Sequence, residues 1–200
     1  MAVARRVVGV FGGSFNPPHV SHVLAVAYAE LVACLDEVTV VPVYQHPFSK
    51  ELVPFDTRLK MCELAFEKLP FVQVSAIERE LGGESRTLRT LEELAARRPD
   101  VDLRLILGSD VLKDLSKWHR FDRIEAIAPP LFLERIGHPS RDGSEGVLPE
   151  ASSSEVRRLL GTKEPSAVER ARVGELVPRR VLEYIRTHAL YESDDRRSST

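Results

Sequence analysis

The sequence predicts an α/β domain: a doubly wound parallel sheet with helices on both faces and further helices at its C-terminal end. Three observations lead there. Short apolar runs at Val7–Phe11, Val38–Val41 and Leu103–Leu107 have the length of buried strands and are too short for core helices. Helix-periodic stretches alternate with them, the order that right-handed crossovers produce in a parallel sheet covered on both sides. The chain's 200 residues, 43% hydrophobic and 29% charged, suffice for one ordinary globular domain with a sizeable core.

Taken in order, the first strand covers 7–11 and ends at Gly12-Gly13. Val20, Val23, Leu24, Ala27 and Leu31 follow at i, i+3, i+4 spacing and predict a helix that buries this stripe. Val38–Val41 is the second strand, closed by Pro42, and Leu59, Leu64, Ala65 and Leu69 mark a helix after Pro54. Phe71–Val74 reads as a third strand, followed by a helix marked by Leu88, Leu91, Leu94 and Ala95. Leu103–Leu107 is the fourth strand, ending at Gly108-Ser109-Asp110, and Pro130–Leu133 is the fifth. Segment 137–147, with three glycines and Pro139, is expected to be a loop. Ser152–Leu160 and Pro178–His188 read as C-terminal helices, and 191–200 as a frayed polar tail beyond a single domain over 1–190.

Several function classes are disfavoured by composition. A formal net charge of −2 offers no global attraction for nucleic acid or an anionic membrane, so phosphate binding must come from local groups. Arg5-Arg6 precedes too short an apolar run for a signal peptide, and no run approaches a membrane span, so a cytoplasmic protein is expected. Cys34 and Cys62 lie in apolar helix-periodic stretches without Cys-x-x-Cys spacing and read as small buried hydrophobes.

In doubly wound sheets, ligands bind beyond the carboxyl ends of the strands, where the strand order reverses. The segment just after the first strand, Gly12-Gly13-Ser14-Phe15-Asn16-Pro17-Pro18-His19-Val20-Ser21-His22, is therefore the first place to look. Its glycines permit close backbone approach and torsions that a Cβ forbids. The prolines suit a helix entry, and a helix N-terminus is an anion site. The glycines fit neither the phosphate-loop nor the Gly-x-Gly-x-x-Gly dinucleotide pattern. His19 and His22 fall on one helix face, where two imidazoles can donate to phosphate oxygens and steady charge on a leaving pyrophosphate. A zinc site would need a third ligand, for which His46 is available without any supporting cluster. Two surface histidines remain the plain alternative.

Gly13-Ser14-Phe15-Asn16-Pro17-Pro18-His19-x-x-His22 resembles the signature of the nucleotidylyltransferase superfamily, which ends His-x-Gly-His. Its Phe-x-Pro-Pro-His form is most similar to the bacterial nicotinate-nucleotide adenylyltransferases, a family of Rossmann-like fold. The resemblance implies that Gly12, Gly13, Ser14 and Phe15 face the nucleotides and that His19 and His22 contact ATP phosphates. Ser21 stands where the family has glycine.

Ser152-Ser153-Ser154-Glu155-Val156-Arg157 is on its own a capping box opening a helix. It also resembles the family's Ile-Ser-Ser-Thr-x-Ile-Arg element, which would give Ser153, Ser154 and Arg157 to the ATP β and γ phosphates. Asp110, on its own a plausible helix cap, matches a Gly-x-Asp near the nucleotide. Trp118, the single tryptophan, reads as core or as a pocket wall; the resemblance stacks it on the pyridine ring. Ser85-Arg86-Thr87 stands where the family has Ser-Tyr-Thr, a turn implied to hold the pyridine carboxylate, with Arg86 as a candidate extra contact or an exposed loop arginine. Lys50 is a candidate for the substrate phosphate, with Arg58 in support.

The expected activity is adenylyl transfer from ATP to nicotinic acid mononucleotide, with Mg2+ on the ATP phosphates because no carboxylate cage is visible. The alternatives are a sibling enzyme acting on nicotinamide mononucleotide or phosphopantetheine, and a non-catalytic nucleotide- or metal-binding sensor on the same turn.

Overall fold

The computed structural model describes residues 4–46, 52–134, 136, 148–149 and 151–192. In chain order the elements are β1 (Arg6–Gly13), α1 (Val20–Ala33), β2 (Glu37–Pro42), α2 (Phe55–Phe66), β3 (Val72–Val74), α3 (Ile77–Leu81) and α4 (Thr87–Arg97). They continue with β4 (Val101–Gly108), a 3-10 helix (Ser109–Lys117), α5 (Phe121–Ile127), β5 (Pro130–Leu133), α6 (Ser153–Leu160), α7 (Ala167–Leu176) and α8 (Arg179–Thr187). The sheet order is β3-β2-β1-β4-β5 and every pairing is parallel. The order reverses between β1 and β4, which places the switch point at the end of β1.

Alternate strand residues feed two cores. Phe11, Val38, Val40, Ile106 and Leu133 pack with Val26, Met61, Val156 and Val181 from α1, α2, α6 and α8. On the opposite face, Val8, Val10, Val41, Leu103 and Leu105 pack with Ile77, Leu91 and Ile124 from α3, α4 and α5. A sheet buried on both faces explains why the strands read as continuous apolar runs. Among the described residues, no helix is long and apolar enough to cross a membrane.

The five expected strands and five expected helices all form, while α3, the 3-10 helix, α5 and α7 add to them. Three expectations need correction. Helix α1 buries Ser21, Ala25, Val26 and Ala29, whereas Leu24 and Leu31 of the expected stripe are 41% and 74% exposed. Nearly every position of this helix is apolar, so periodicity does not single out a face, and the small residues allow the closer approach to the sheet. Cys34 is exposed, because the chain turns through a left-handed torsion (φ 50°) at the helix end and carries the side chain out of the core. Tyr191, placed in the expected tail, is fastened to the fold, its hydroxyl donating to Asn16 Oδ1 at 2.8 Å. The expected loop 137–147 lies outside the described residues.

Candidate active site

β1 and β4 are paired neighbours that end at Gly13 and Gly108. Gly12 and Gly13 are not in a turn: they continue β1, opposite Val41 and Pro42 of β2. Among the described residues the positive-φ glycines are Gly82 and Gly83, so the torsional argument for Gly12 and Gly13 does not hold. A Cβ on Gly12 would meet only the Val41 carbonyl oxygen, at 4.0 Å, so packing against the protein does not demand glycine there, whereas one on Gly13 would come within 3.0 Å of the Phe15 ring. The turn itself comes at Ser14–Pro18, with Phe15 at φ 45° and a cis Asn16–Pro17 bond. Phe15 is buried and meets the His22 ring edge-on at 4.9 Å.

His19 caps α1, and its ring lies against that of His22 with centroids 3.7 Å apart. The His19 N–H donates to His22 Nδ1 at 3.1 Å. A nitrogen that accepts carries no proton, so the hydrogen of the His22 ring sits on Nε2.

The second motif lands on the first. Ser152 caps α6 by accepting from the Glu155 N–H at 3.1 Å. Ser153 Oγ donates to the Pro17 carbonyl at 2.8 Å, and Arg157 Nη1 donates to the Asn16 carbonyl at 2.6 Å. Arg157 also donates to Ser154 Oγ at 3.3 Å, which holds the guanidinium along the first turn of α6. Ser21 joins the same seam. It is buried, and its hydroxyl donates to the Pro149 carbonyl at 2.9 Å, so its side chain ties the start of α1 to the segment just before α6.

Asn16 is the hub of this seam, accepting from Tyr191 and from the Val53 N–H at 3.3 Å. Burial pushes the Tyr191 phenol well above the ordinary tyrosine range.

On the other side of β1, a hollow is lined by Gly12, Val41, Glu78, Thr87, Thr90 and Leu105. Helix α4 starts here, with Arg86 as its cap residue and no side chain capping its first turn. Its leading N–H groups therefore have no partner within the helix. Ser85 is fully committed within the protein. Its N–H donates to Gln45 O at 3.0 Å, and its hydroxyl accepts from Tyr44 N–H at 2.9 Å and donates to Glu78. Arg86 pairs with Glu84 at 2.7 Å on the exposed rim.

Asp110 opens the 3-10 helix directly after β4 and is half-buried. Trp118 follows that helix and packs edge-on against Phe121, with centroids 6.2 Å apart and leaning on the α4–α5 core. Lys50 lies outside the described residues.

Arg58 is not available to a substrate phosphate. It is 1% exposed and donates to Val53 O (3.0 Å), Ser14 O (3.0 Å) and Val43 O (2.7 Å). Burial pushes its guanidinium below the usual arginine range, while Cys62, Tyr191 and Glu78 favour the charge. The signal in the sequence was its place on the stripe Arg58, Met61, Cys62, Ala65, which is the buried face of α2. Glu78 and Asn16 carried no comparable signal: Asn16 meets the distant Val53 and Tyr191, and Glu78 joins Tyr44, far off in sequence, to Ser85 and Thr90.

A family model described as cytidylyltransferase-like matches residues 10–159. A protein of Anaeromyxobacter sp. (strain K), named "Probable nicotinate-nucleotide adenylyltransferase", is 42% identical over 93% of this chain and 97% of its own length. A protein of the same name from Myxococcus xanthus is 41% identical over 92% of this chain and 94% of its own. Among solved structures, Plasmodium falciparum nicotinic acid mononucleotide adenylyltransferase complexed with NaAD superposes with a TM-score of 0.75 at 20% identity, covering 93% of this chain and 97% of that one. That last likeness bears on the fold alone. The match to the family model and the extent of identity with these relatives place the chain in the cytidylyltransferase-like family, among the nicotinate-nucleotide adenylyltransferases.

Proposed function

We propose that this protein transfers the adenylyl group of ATP to nicotinic acid mononucleotide, forming nicotinic acid adenine dinucleotide and pyrophosphate. The observation that carries this reading is the seam in which Ser153 and Arg157 bond to the Pro17 and Asn16 carbonyls. It sets the starts of α1 and α6, two helix N-termini that favour anions, side by side at the end of β1.

In this reading a phosphate oxygen of the mononucleotide attacks the α-phosphorus of ATP in line. The bond to the bridging oxygen between the α and β phosphorus atoms breaks, and pyrophosphate leaves with that oxygen. No covalent enzyme intermediate is required, so catalysis is positioning and charge stabilisation. Gly12, Gly13, Ser14 and Phe15 let the nucleotide approach the backbone, and Asp110 stands near it. His19, His22 Nε2–H, Arg157 and the N–H groups of Ser153 and Ser154 receive the charge that builds on the departing phosphates. At the acceptor side, Thr87 and the leading N–H groups of α4 hold the pyridine carboxylate, with Arg86 adding charge. Ser85 shapes that turn, Trp118 offers its ring to the pyridine, and Lys50 takes the mononucleotide phosphate. Among the described residues no three His, Cys, Asp or Glu side chains converge as a metal cage. Mg2+ would therefore arrive on ATP, held by phosphate oxygens and water.

The test is pyrophosphate release from ATP with nicotinic acid mononucleotide, nicotinamide mononucleotide and phosphopantetheine as acceptors. Release with the first, well above the other two, is expected. Silence with both pyridine mononucleotides would overturn the reading.

A further inference from the structure

Glu78 is a buried carboxylate to which the mechanism above gives no part. It sits in the short helix α3, and its three side-chain hydrogen-bond partners among the described residues belong to segments that border the candidate cleft. Oε2 accepts from the Tyr44 N–H at 2.9 Å and from the Ser85 hydroxyl, while Oε1 accepts from Thr90 Oγ1 at 3.1 Å. Tyr44 follows β2, Ser85 is the turn before α4, and Thr90 lies on the first turns of α4. The peptide held by Glu78 is held from its other side by Arg58, which bonds to Val43 O at 2.7 Å and reaches Tyr44 O at 3.5 Å. The same guanidinium holds Ser14 O of the β1 turn at 3.0 Å.

A continuous chain of hydrogen bonds, part-buried except for the fully buried Thr90–Glu78 link, thus runs from the nucleotide turn to the acceptor turn. It passes from Ser14 through Arg58, the Val43–Tyr44 peptide and Glu78 to Ser85 and Thr90. Both charged side chains are almost fully enclosed (1% and 8% exposed), so breaking one link of the network leaves a buried polar group without its partner, which is costly. In-line transfer depends on the separation and angle between the two bound substrates, and a displacement of about 1 Å can cost on the order of a hundredfold in rate.

Building on the proposed adenylyl transfer, we propose that Glu78 is a positioning residue: it clamps the entry of α4 to the β2 exit, so that the acceptor mononucleotide is held in register with ATP. Glu78 does this through its oxygens as acceptors and touches neither substrate. Gln keeps an acceptor oxygen of similar reach, and the Thr90 hydroxyl can turn to accept from its amide, so the clamp survives Glu78→Gln and is lost in Glu78→Ala.

The experiment is steady-state kinetics of the full-length protein with each substrate varied separately. In Glu78→Ala the KM for nicotinic acid mononucleotide is expected to rise about tenfold, the scale of losing a buried acceptor that organises its neighbours, and kcat to fall as the acceptor loses register, with the KM for ATP nearly unchanged. Glu78→Gln is expected to restore most of the loss. An unchanged acceptor KM in a folded Glu78→Ala overturns the proposal, as does an equal rise in both KM values. Failure of Glu78→Gln to recover also overturns it, since that would mean a direct role for the charge. If Glu78→Ala does not fold, Ser85→Ala removes the same link, and an unmoved acceptor KM there is equally decisive against the clamp. A wild-type protein silent with every acceptor would refute the proposed function instead, so the two failures are distinguishable.

Discussion

Replacing Ser21 by glycine, the residue its family pattern has at that position, should weaken the fold while sparing the chemistry. Ser21 is 4% exposed, and its hydroxyl donates to Pro149 O at 2.9 Å, tying the start of α1 to the segment before α6. One such hydrogen bond contributes about 1 kcal/mol, and the lost side chain makes glycine about 0.5 kcal/mol poorer than serine within a helix. Ser21→Gly should therefore cost about 1.5 kcal/mol, or roughly 3–6 °C in Tm for a domain of this size. Ser21→Ala loses the same hydrogen bond but gains helix propensity, so its loss should be about 1 kcal/mol smaller. Thermal unfolding followed by circular dichroism reads both values, and pyrophosphate release at saturating ATP checks that kcat stays within about threefold, since His19, His22 and Arg157 are untouched. Equal Tm values for wild type, Ser21→Ala and Ser21→Gly would refute the argument. A large fall in kcat with unchanged Tm would show instead that the hydroxyl acts on the nucleotide.

Two glycines of β1 should respond oppositely to alanine. A Cβ at Gly9 would come within 2.8 Å of both Ile106 Cδ1 and Leu35 Cδ1, so Gly9→Ala should destabilise by about 1–3 kcal/mol in urea unfolding. Gly12→Ala meets nothing closer than 4.0 Å and should keep wild-type stability, while the KM for ATP rises because the methyl occupies the cleft. His22→Ala should lower kcat by about a hundredfold with a smaller change in the KM for ATP, as expected for a donor that acts chiefly on developing charge. The buried Cys62 thiol and Tyr191 phenol are both pushed up by burial, so each ionises at lower pH in the unfolded chain than in the native one. The stability they hold is complete below the pH at which an ordinary thiol ionises, 9.0, and falls as pH rises above it. Urea midpoints measured from pH 7 upward should decline beyond that point, and Cys62→Ala should flatten the start of the decline.

Local patterns in the sequence recovered the elements whose signals are local. The apolar runs became β1, β2, β4 and β5, and Ser152 caps α6 as its spacing with Glu155 indicates. Helix α7 was also within reach, since Ser166 and Glu169 form a full capping box ahead of it. Its apolar content is thin, though, with Val173 and Leu176 buried and Val168 left 77% exposed, so the periodic signal is weak. Helix α1 failed in the opposite way, with too many apolar positions to identify its buried face.

What the sequence by itself determined is the doubly wound class and the two motifs, Gly12–His22 and Ser152–Arg157, because strand length, glycine and proline placement and helix caps act over a few residues. The tertiary structure alone decided how those motifs are used. It joined Arg157 to Asn16 and Ser21 to Pro149, made Arg58 an internal brace where support of a substrate phosphate was expected, and set the Ser85 hydroxyl on Glu78. Each of these partnerships links segments separated by intervening strands or helices, except the nearby pair of Glu78 and Ser85, which meet because the left-handed Gly82 and Gly83 turn the chain back between them. A buried polar group takes whichever partner the fold brings within about 3 Å. That choice depends on the order of strands in the sheet and on the packing of helices against it, which no local spacing encodes.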